Sequence, residues 1–136
     1  MKNDKNTTIQ DLKKEITEFV KERNWDRFQN IRSLAISLSL ESNELLDHFQ
    51  WLNDKEVEDF EKDAKNKEEI AEELCDILAY ILVAADKLDI DISQSFSKKI
   101  EKNSKKYPPE EFVDQTREKD NEKYQSLRKD WEKNPK

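Results

Sequence analysis

The chain of 136 residues contains no glycine, one cysteine, one histidine and three prolines. Tight primed hairpins, P-loops and dinucleotide-binding fingerprints all depend on glycine, so the sequence argues against each of them. A single cysteine excludes an intramolecular disulfide and fits a reducing compartment. These shortages leave helices as the expected secondary structure.

Long apolar runs and an excess of positive charge are also missing. Hydrophobic residues make up 34% of the chain, and the net charge is −7. No apolar run is long enough to span a bilayer and no secretory leader is recognisable, so we expect a cytoplasmic protein without a membrane partner. The negative charge argues against nucleic acid as the main partner. Because one chain can bury only a modest core, we also expect a homo-oligomer.

Polar capping residues followed by apolar stripes predict four main helices. The predicted starts are Thr8 with Asp11, Asn30, Asn66 with Glu69, and Asp91. The second helix should run to about Trp51, and the fourth should stop before Pro108, because a residue that precedes proline leaves the α region. The prediction is therefore an all-α, four-helix-bundle-like fold.

Three stretches lie between or beyond these helices. Residues 25–29 are interpreted as a loop that carries Trp25 and Phe28, and residues 53–67 as a charged connector with one short helical turn at Val57 and Phe60. Residues 109–136 are highly charged. They form either a marginal helix, docked through Leu127 and Trp131, or a mobile tail.

Two acidic pairs stand out because each lies inside an apolar run. Glu41 and Glu44 fall in the second helix, and Glu73 and Asp76 in the third. A spacing of three residues places both members of a pair on one helix face. An unpaired carboxylate in apolar surroundings costs free energy, which suggests a shared ligand.

The two pairs have the same angular offset from the apolar stripes of their helices. If the two helices pack antiparallel through their apolar stripes, residues that are offset from those stripes in the same rotational direction lie on the same side of the helix pair. Both pairs should then line one groove, at a relative height that spacing alone does not determine. Tyr80 lies one turn beyond Asp76 on this flank and should line the groove as well.

Four carboxylates suit Mg²⁺, which prefers oxygen ligands and is commonly shared with substrate phosphates. Lys99, Asn103 and Lys106 recur at i, i+4 and i+7 and make a polar, largely cationic stripe that could meet phosphate charge. The alternative is that the acids merely form a solvated flank. A di-iron bundle needs two Glu-x-x-His motifs, and the chain has only His48. Cys75 is interpreted as a small buried apolar residue.

Three blocks of sequence together resemble the all-α MazG-like nucleoside triphosphate pyrophosphohydrolases, and within them the dCTP pyrophosphatase branch. The blocks are Leu40 to Trp51, Glu72 to Tyr80, and Lys99 through Asn103 to Pro108. The resemblance covers roughly residues 9–108, so we predict a MazG-like domain at 1–108 and a charged C-terminal extension at 109–136.

The resemblance implies an oligomeric helical bundle, commonly a dimer of dimers, so a dimer or tetramer is expected. It also implies Mg²⁺-dependent cleavage of a nucleoside triphosphate to monophosphate and pyrophosphate, with pyrimidine deoxynucleotides such as dCTP favoured. By match, the metal ligands and catalytic acids are Glu41, Glu44, Glu73 and Asp76. The residues that match phosphate- or sugar-facing positions are Lys99, Asn103, Lys106 and Tyr107, and those that match aromatic positions around the base are Trp25, Trp51 and Tyr80.

Two departures bear on base choice more than on metal chemistry. Ser42 and Asn43 stand where relatives often have glycine, and Gln29 stands where they often have histidine. Two alternatives stay open. One is a pyrophosphatase of the same superfamily that acts on dUTP or phosphoribosyl-ATP. The other is a non-catalytic helical interaction module, which requires neither metal nor nucleotide.

Overall fold

The computed structural model of the chain describes residues 2–112 and 116–133, and within these residues it contains helices and no strands. The α-helices are α1 (Ile9–Glu22), α2 (Ile31–Asp47), α3 (Asp54–Phe60), α4 (Ala64–Lys87), α5 (Ile92–Lys106) and α6 (Arg117–Lys133). A short 3-10 helix covers Pro109–Phe112. The all-α prediction is confirmed. None of the described helices combines the length and the low charge needed to cross a bilayer.

The first helix begins at the predicted cap. The Thr8 hydroxyl accepts a hydrogen bond from the Asp11 backbone N–H at 3.1 Å, and the Asp11 carboxylate accepts one from the Thr8 backbone N–H at 2.8 Å. This reciprocal capping box satisfies two backbone donors that the first turn leaves unpaired. The start of α1 is thereby set by local sequence.

Two helix ends adopt the left-handed conformation that glycine commonly takes, and residues with short polar side chains occupy both positions. Asn24 after α1 and Asp89 after α4 have positive φ angles of 54° and 52°. Asparagine and aspartate tolerate this left-handed conformation better than other non-glycine residues. At the end of α1, the Trp25 N–H donates to the Val20 carbonyl at 3.1 Å, which closes a Schellman-type turn. The turn folds Trp25 back over α1.

The second helix begins at Asn30 as predicted but ends at Asp47, not near Trp51. The Leu46 carbonyl accepts from both the Phe49 and the Gln50 backbone N–H, and this tightened turn ends the helical bonding. Asn53 then caps α3. Trp51 consequently lies in a turn between two helices and is 85% exposed.

The connector forms the short helix α3, which Phe60 anchors against Phe49 with ring centroids 5.6 Å apart. The predicted start of the next helix at Asn66 is wrong. Asp63 caps α4 instead, by accepting from the backbone N–H groups of Lys65 and Asn66. The Asn66 side chain donates back to the Phe60 carbonyl at 3.1 Å, so its polar group closes the α3–α4 corner.

The long helix α4 packs against both α1 and α2, which makes it the central element of residues 2–92. Val20, Leu34 and Val83 form the buried cluster, one from each of these helices, with Tyr80 packed beside them. Leu74 on α4 is 52% exposed in the single chain. One chain therefore covers only part of its apolar surface.

The chain divides into two compact units, Met1–Ile92 and Ser93–Lys136. In the second unit, α5 ends at Lys106 as predicted, and Tyr107 stacks on Tyr124 of α6 with centroids 5.0 Å apart. Lys102 Nζ lies 5.9 Å from the centre of the Trp131 ring. Much of the predicted extension is thus helical. The predicted division into a domain at 1–108 and an extension at 109–136 stays a prediction.

Candidate active site

Three carboxylates from two helices meet in the first unit. Glu41 on α2 and Glu73 and Asp76 on α4 each offer an oxygen, and these oxygens all lie within 4.8 Å of one another. Glu41 and Glu73 are half-buried, and Asp76 is exposed. The i, i+3 spacing places Glu73 and Asp76 on one face of α4, and the packing of α2 on α4 brings Glu41 to them. We name these three residues the acidic cluster.

Glu41 is the member of the acidic cluster whose ionisation is disfavoured. Burial raises the pKa of the Glu41 carboxyl above its ordinary value, and the neighbouring charges of Glu44, Asp76 and Glu73 raise it further. Both causes disfavour the ionised form. The acidic cluster is therefore a place where a cation would relieve repulsion, and its hard oxygen donors fit Mg²⁺.

Glu44 lies one turn after Glu41 on α2 and is exposed. It does not belong to the acidic cluster, although its charge acts on Glu41. The two residues between these glutamates stay within the helix. Ser42 Oγ donates to the Leu38 carbonyl at 2.7 Å, and Asn43 Nδ2 donates to the Ser39 carbonyl at 2.6 Å. Both side chains therefore bond to backbone carbonyls of the preceding turn of α2.

His48 lies at the edge of the acidic cluster. Its Nε2 is 3.9 Å from Glu73 Oε1, and both side chains are about one-fifth exposed. The imidazole also packs against Phe49 and Phe60, with centroids 6.4 and 6.1 Å away. These contacts hold the His48 ring beside Glu73.

An aromatic cavity of about 170 Å³ adjoins the acidic cluster. It lies between α1, the loop after α1 and α4, and Asp76 belongs to both its wall and the cluster. Its lining residues are Ile16, Phe19, Val20, Trp25, Gln29, Asp76, Ala79, Tyr80 and Val83. The structure thus brings Trp25 and Tyr80 together at one cavity. Phe19 also lines the cavity, and its ring lies 5.8 Å from that of Trp25.

The other predicted aromatic, Trp51, lies elsewhere. It is 85% exposed and is not among the residues that line the aromatic cavity. The second helix was predicted to run to about residue 51 but ends at Asp47, which leaves Trp51 in the turn after it. A contact between Trp51 and substrate stays a prediction.

The predicted phosphate-facing residues belong to the second unit. Lys99 is exposed, whereas Asn103, Lys106 and Tyr107 are half-buried. Lys106 Nζ lies 5.1 Å from the centre of the Tyr107 ring. Desolvation opposes the shift, but hydrogen bonds with Tyr124 and Lys106 lower the pKa of Tyr107 below its usual value. A role for these four residues at a nucleotide stays a prediction.

Comparison with known proteins identifies the family. The MazG-like family model matches residues 36–129, which includes the acidic cluster and extends past the 9–108 range of the sequence resemblance. A pyrophosphatase from Archaeoglobus fulgidus, known as a crystal structure, is 36% identical. The similarity covers 74% of this chain and 92% of that one, with a TM-score of 0.67.

Curated relatives point the same way. dCTP pyrophosphatase 1 of Mus musculus is 33% identical over 101 residues, and that of Homo sapiens is 31% identical over 101 residues. Each match covers 74% of this chain and 59% of the relative, so the chain spans about three-fifths of the length of the curated relatives it matches. With the family model matching most of its length and a solved structure covered almost throughout, the chain belongs to the MazG-like family.

Proposed function

We propose that this chain is a Mg²⁺-dependent nucleoside triphosphate pyrophosphohydrolase that cleaves a pyrimidine deoxynucleotide such as dCTP to monophosphate and pyrophosphate. The observation that carries the proposal is the shared position of Asp76, which belongs to the acidic cluster and also to the wall of the aromatic cavity. A nucleotide with its phosphates at the cluster can then place its base among aromatic side chains. The relatives named dCTP pyrophosphatase support the choice of substrate.

Glu41, Glu73 and Asp76 would hold the metal, and Glu44 would contribute charge or a further ligand from the next turn of α2. When bound, Mg²⁺ neutralises phosphate charge and makes a coordinated water more acidic. The fit depends on the donor set, since the cluster offers only carboxylate oxygens and repels itself without a cation.

Within this set, Glu41 is our choice for the carboxylate that orients the attacking water or accepts its proton. Its pKa is raised by burial and by its acidic neighbours, which moves it toward the operating pH of a general base. The proton would leave the water as its oxygen attacks phosphorus, and pyrophosphate would leave as the other product. Lys99, Asn103, Lys106 and Tyr107 would contact phosphates or sugar, as the family resemblance implies.

We also propose a homo-oligomer, a dimer or a tetramer, as the active unit. An apolar groove of about 250 Å³ runs between α1 and α4, lined among others by Leu12, Phe19, Cys75 and Leu78. Cys75 is exposed in the single chain, against the expectation of a buried residue. A second copy that covers this groove would bury it, as self-complementary interfaces do. Light scattering at micromolar concentration measures the assembly, and a monomer that is folded and active would contradict it. A cytoplasmic location stays a prediction.

The function is tested by incubating the purified full chain with Mg²⁺ and a panel of triphosphates, with products separated by chromatography. The panel contains dCTP, dUTP, dTTP, dATP and phosphoribosyl-ATP. We expect dCMP and pyrophosphate from dCTP, with no turnover in EDTA. Diphosphate and free phosphate as initial products would contradict the pyrophosphohydrolase assignment. A lack of turnover and of nucleotide binding throughout the panel would favour a non-catalytic interaction module.

A further inference from the structure

Helix α6 is docked at the end of α5 through aromatic and charged side chains. The Tyr124 ring of α6 stacks on the ring of Tyr107, the residue after α5, with centroids 5.0 Å apart and 14° between the ring planes. Lys123, the neighbour of Tyr124, forms an ion pair with Glu111 in the 3-10 helix. Phe112 packs edge-on against Tyr107, with centroids 6.4 Å apart. The Tyr107 ring is thereby held by both the 3-10 helix and α6.

The same tyrosine ring holds the last lysine of α5. Lys106 Nζ lies 5.1 Å from the centre of the Tyr107 ring, within the range of a cation–π contact. Among the residues that the structure describes, no carboxylate lies within ion-pair distance of Lys106, whereas Lys105 pairs with Glu101 at 2.8 Å. Lys106 and Tyr107 are half-buried and retain accessible surface. The Lys106 ammonium is therefore oriented by an aromatic ring, and its charge is available to an anion.

Polar atoms link the same three side chains. Desolvation opposes the shift, but hydrogen bonds with Tyr124 and Lys106 lower the pKa of Tyr107. Tyr124 therefore acts on Lys106 through Tyr107, by its ring and by its hydroxyl group. A lysine side chain loses much rotamer freedom when it becomes ordered, so an ammonium that is already oriented binds an anion at a smaller entropic cost.

We propose that Tyr124 is a positioning residue, whose stacked ring fixes Tyr107 and thereby orients Lys106 for contact with the phosphates of the ligand. Tyr124 itself need not touch the ligand. Because the proposed function assigns phosphate or sugar contacts to Lys106 and Tyr107, this role rests on that function. Helix α6 is then a working part of the phosphate-binding end, although it lies in the predicted C-terminal extension.

The test measures the binding of pyrophosphate to the full chain, by calorimetric titration in the presence of Mg²⁺. Tyr124→Leu removes the flat ring but keeps apolar bulk, and leucine has a high helix propensity, so α6 should stay helical, as circular dichroism checks. We expect this variant to bind pyrophosphate at least about fivefold more weakly than the wild type, because Lys106 and Tyr107 would become ordered only on binding. Tyr124→Phe keeps the stacking ring and should restore the affinity to within about twofold of the wild type.

Two controls show whether the effect is local. Gln125→Ala changes the next residue of α6, which is exposed, and should keep the wild-type affinity for pyrophosphate. Mg²⁺ alone should titrate into Tyr124→Leu with wild-type affinity, because the acidic cluster belongs to the first unit and Tyr124 to the second. A loss of Mg²⁺ affinity in Tyr124→Leu would assign the change to general damage and overturn the positioning role.

A wild-type chain that binds no pyrophosphate overturns the role of Tyr124, and so does an equal loss of affinity in Tyr124→Phe and Tyr124→Leu. An unchanged affinity in Tyr124→Leu overturns it as well, and tighter binding by this variant would show that α6 covers Lys106 instead of positioning it. These outcomes are separate from failure of the proposed function. A chain whose pyrophosphate binding depends on the Tyr124 ring, but which releases no pyrophosphate from dCTP, keeps the positioning role and loses the hydrolase assignment.

Discussion

The acidic cluster and the aromatic cavity share Asp76 but differ in every other physical respect. The cluster lies between α2 and α4 and consists of like charges that raise the pKa of Glu41. The cavity lies between α1 and α4 and is lined mostly by apolar groups. Under the proposed function, this difference predicts a division of labour, in which the cluster governs the chemical step and the cavity governs affinity for the base.

The largest effect should follow from removing a carboxylate at the metal-binding end. Glu41→Gln, Glu44→Gln, Glu73→Gln and Asp76→Asn should each lower kcat by at least about two orders of magnitude, the scale expected when transition-state charge stabilisation is lost. Steady-state kinetics with dCTP and Mg²⁺ measure the effect. Folding should survive, because removing one of several crowded negative charges relieves repulsion.

Glu72→Gln is the control for these variants, since it removes one exposed carboxylate from α4 beside Glu73. Its kcat should stay within about twofold of the wild type, the range expected for a surface charge outside the site. Near-normal kcat in any two of the four site variants would show that the acids do not act as one site. Because Glu44 lies outside the cluster of three, its variant tests whether the metal needs the fourth acid.

An intermediate effect is expected at the aromatic end. Trp25→Ala or Tyr80→Ala should raise KM for dCTP roughly 5- to 150-fold, which corresponds to the loss of about 1–3 kcal/mol of stacking. The value of kcat should change far less, because stacking is made equally in the ground and transition states. Kinetics over a range of substrate concentrations separate the two parameters.

Trp51→Ala sharpens the comparison, because Trp51 is a predicted base contact outside the aromatic cavity. If Trp51→Ala raises KM as much as Trp25→Ala does, the base also contacts a surface beyond this cavity. If Trp25→Ala and Tyr80→Ala both keep the parental KM across the nucleotide panel, the two residues serve only the core and the division of labour fails.

The smallest effect concerns the stability of the metal-free protein. Since the pKa of Glu41 is raised in the folded state, the folded chain holds this proton to higher pH than the unfolded chain does. Stability is therefore lost as pH rises from the ordinary glutamate pKa of about 4.3 through the raised value. At neutral pH in EDTA, Glu41→Gln should melt a few degrees above the wild type, because the variant has no charge to lose.

Differential scanning fluorimetry at several pH values measures the expected gain in Tm of Glu41→Gln. The gain in Tm should vanish in buffer below the ordinary glutamate pKa, where Glu41 is protonated in both states. It should also shrink in excess Mg²⁺, which stabilises the wild type by binding. Glu72→Gln should show no comparable gain. A Tm difference for Glu41→Gln that does not vary with pH would assign the change to packing and not to charge.

Local sequence determined the features of this protein that depend on neighbours along the chain. The capping box at Thr8, the cap at Asn30 and the stop before Pro108 were predictable because a helix end requires only a few adjacent residues. The paired faces of Glu41 with Glu44 and of Glu73 with Asp76 follow from the helical repeat alone. The start of α4 was misplaced because Asp63 and Asn66 are both acceptable caps, and the corner at Phe60 decides between them.

Only the tertiary structure decided which of these faces meet and at what height. Helical spacing gives the angle of a side chain around the axis of its helix. The packing of α2 and α1 on α4 sets the axial register, which is the position of the helices relative to one another along their axes. That register brings Glu41, and not Glu44, within 4.8 Å of Glu73 and Asp76. It also encloses Gln29 beside Trp25 and Tyr80 while Trp51 stays in solvent. The candidate site residues could be named from sequence because their spacing is local, whereas which of them share one cluster or one cavity could not, because that depends on contacts between helices distant in the chain.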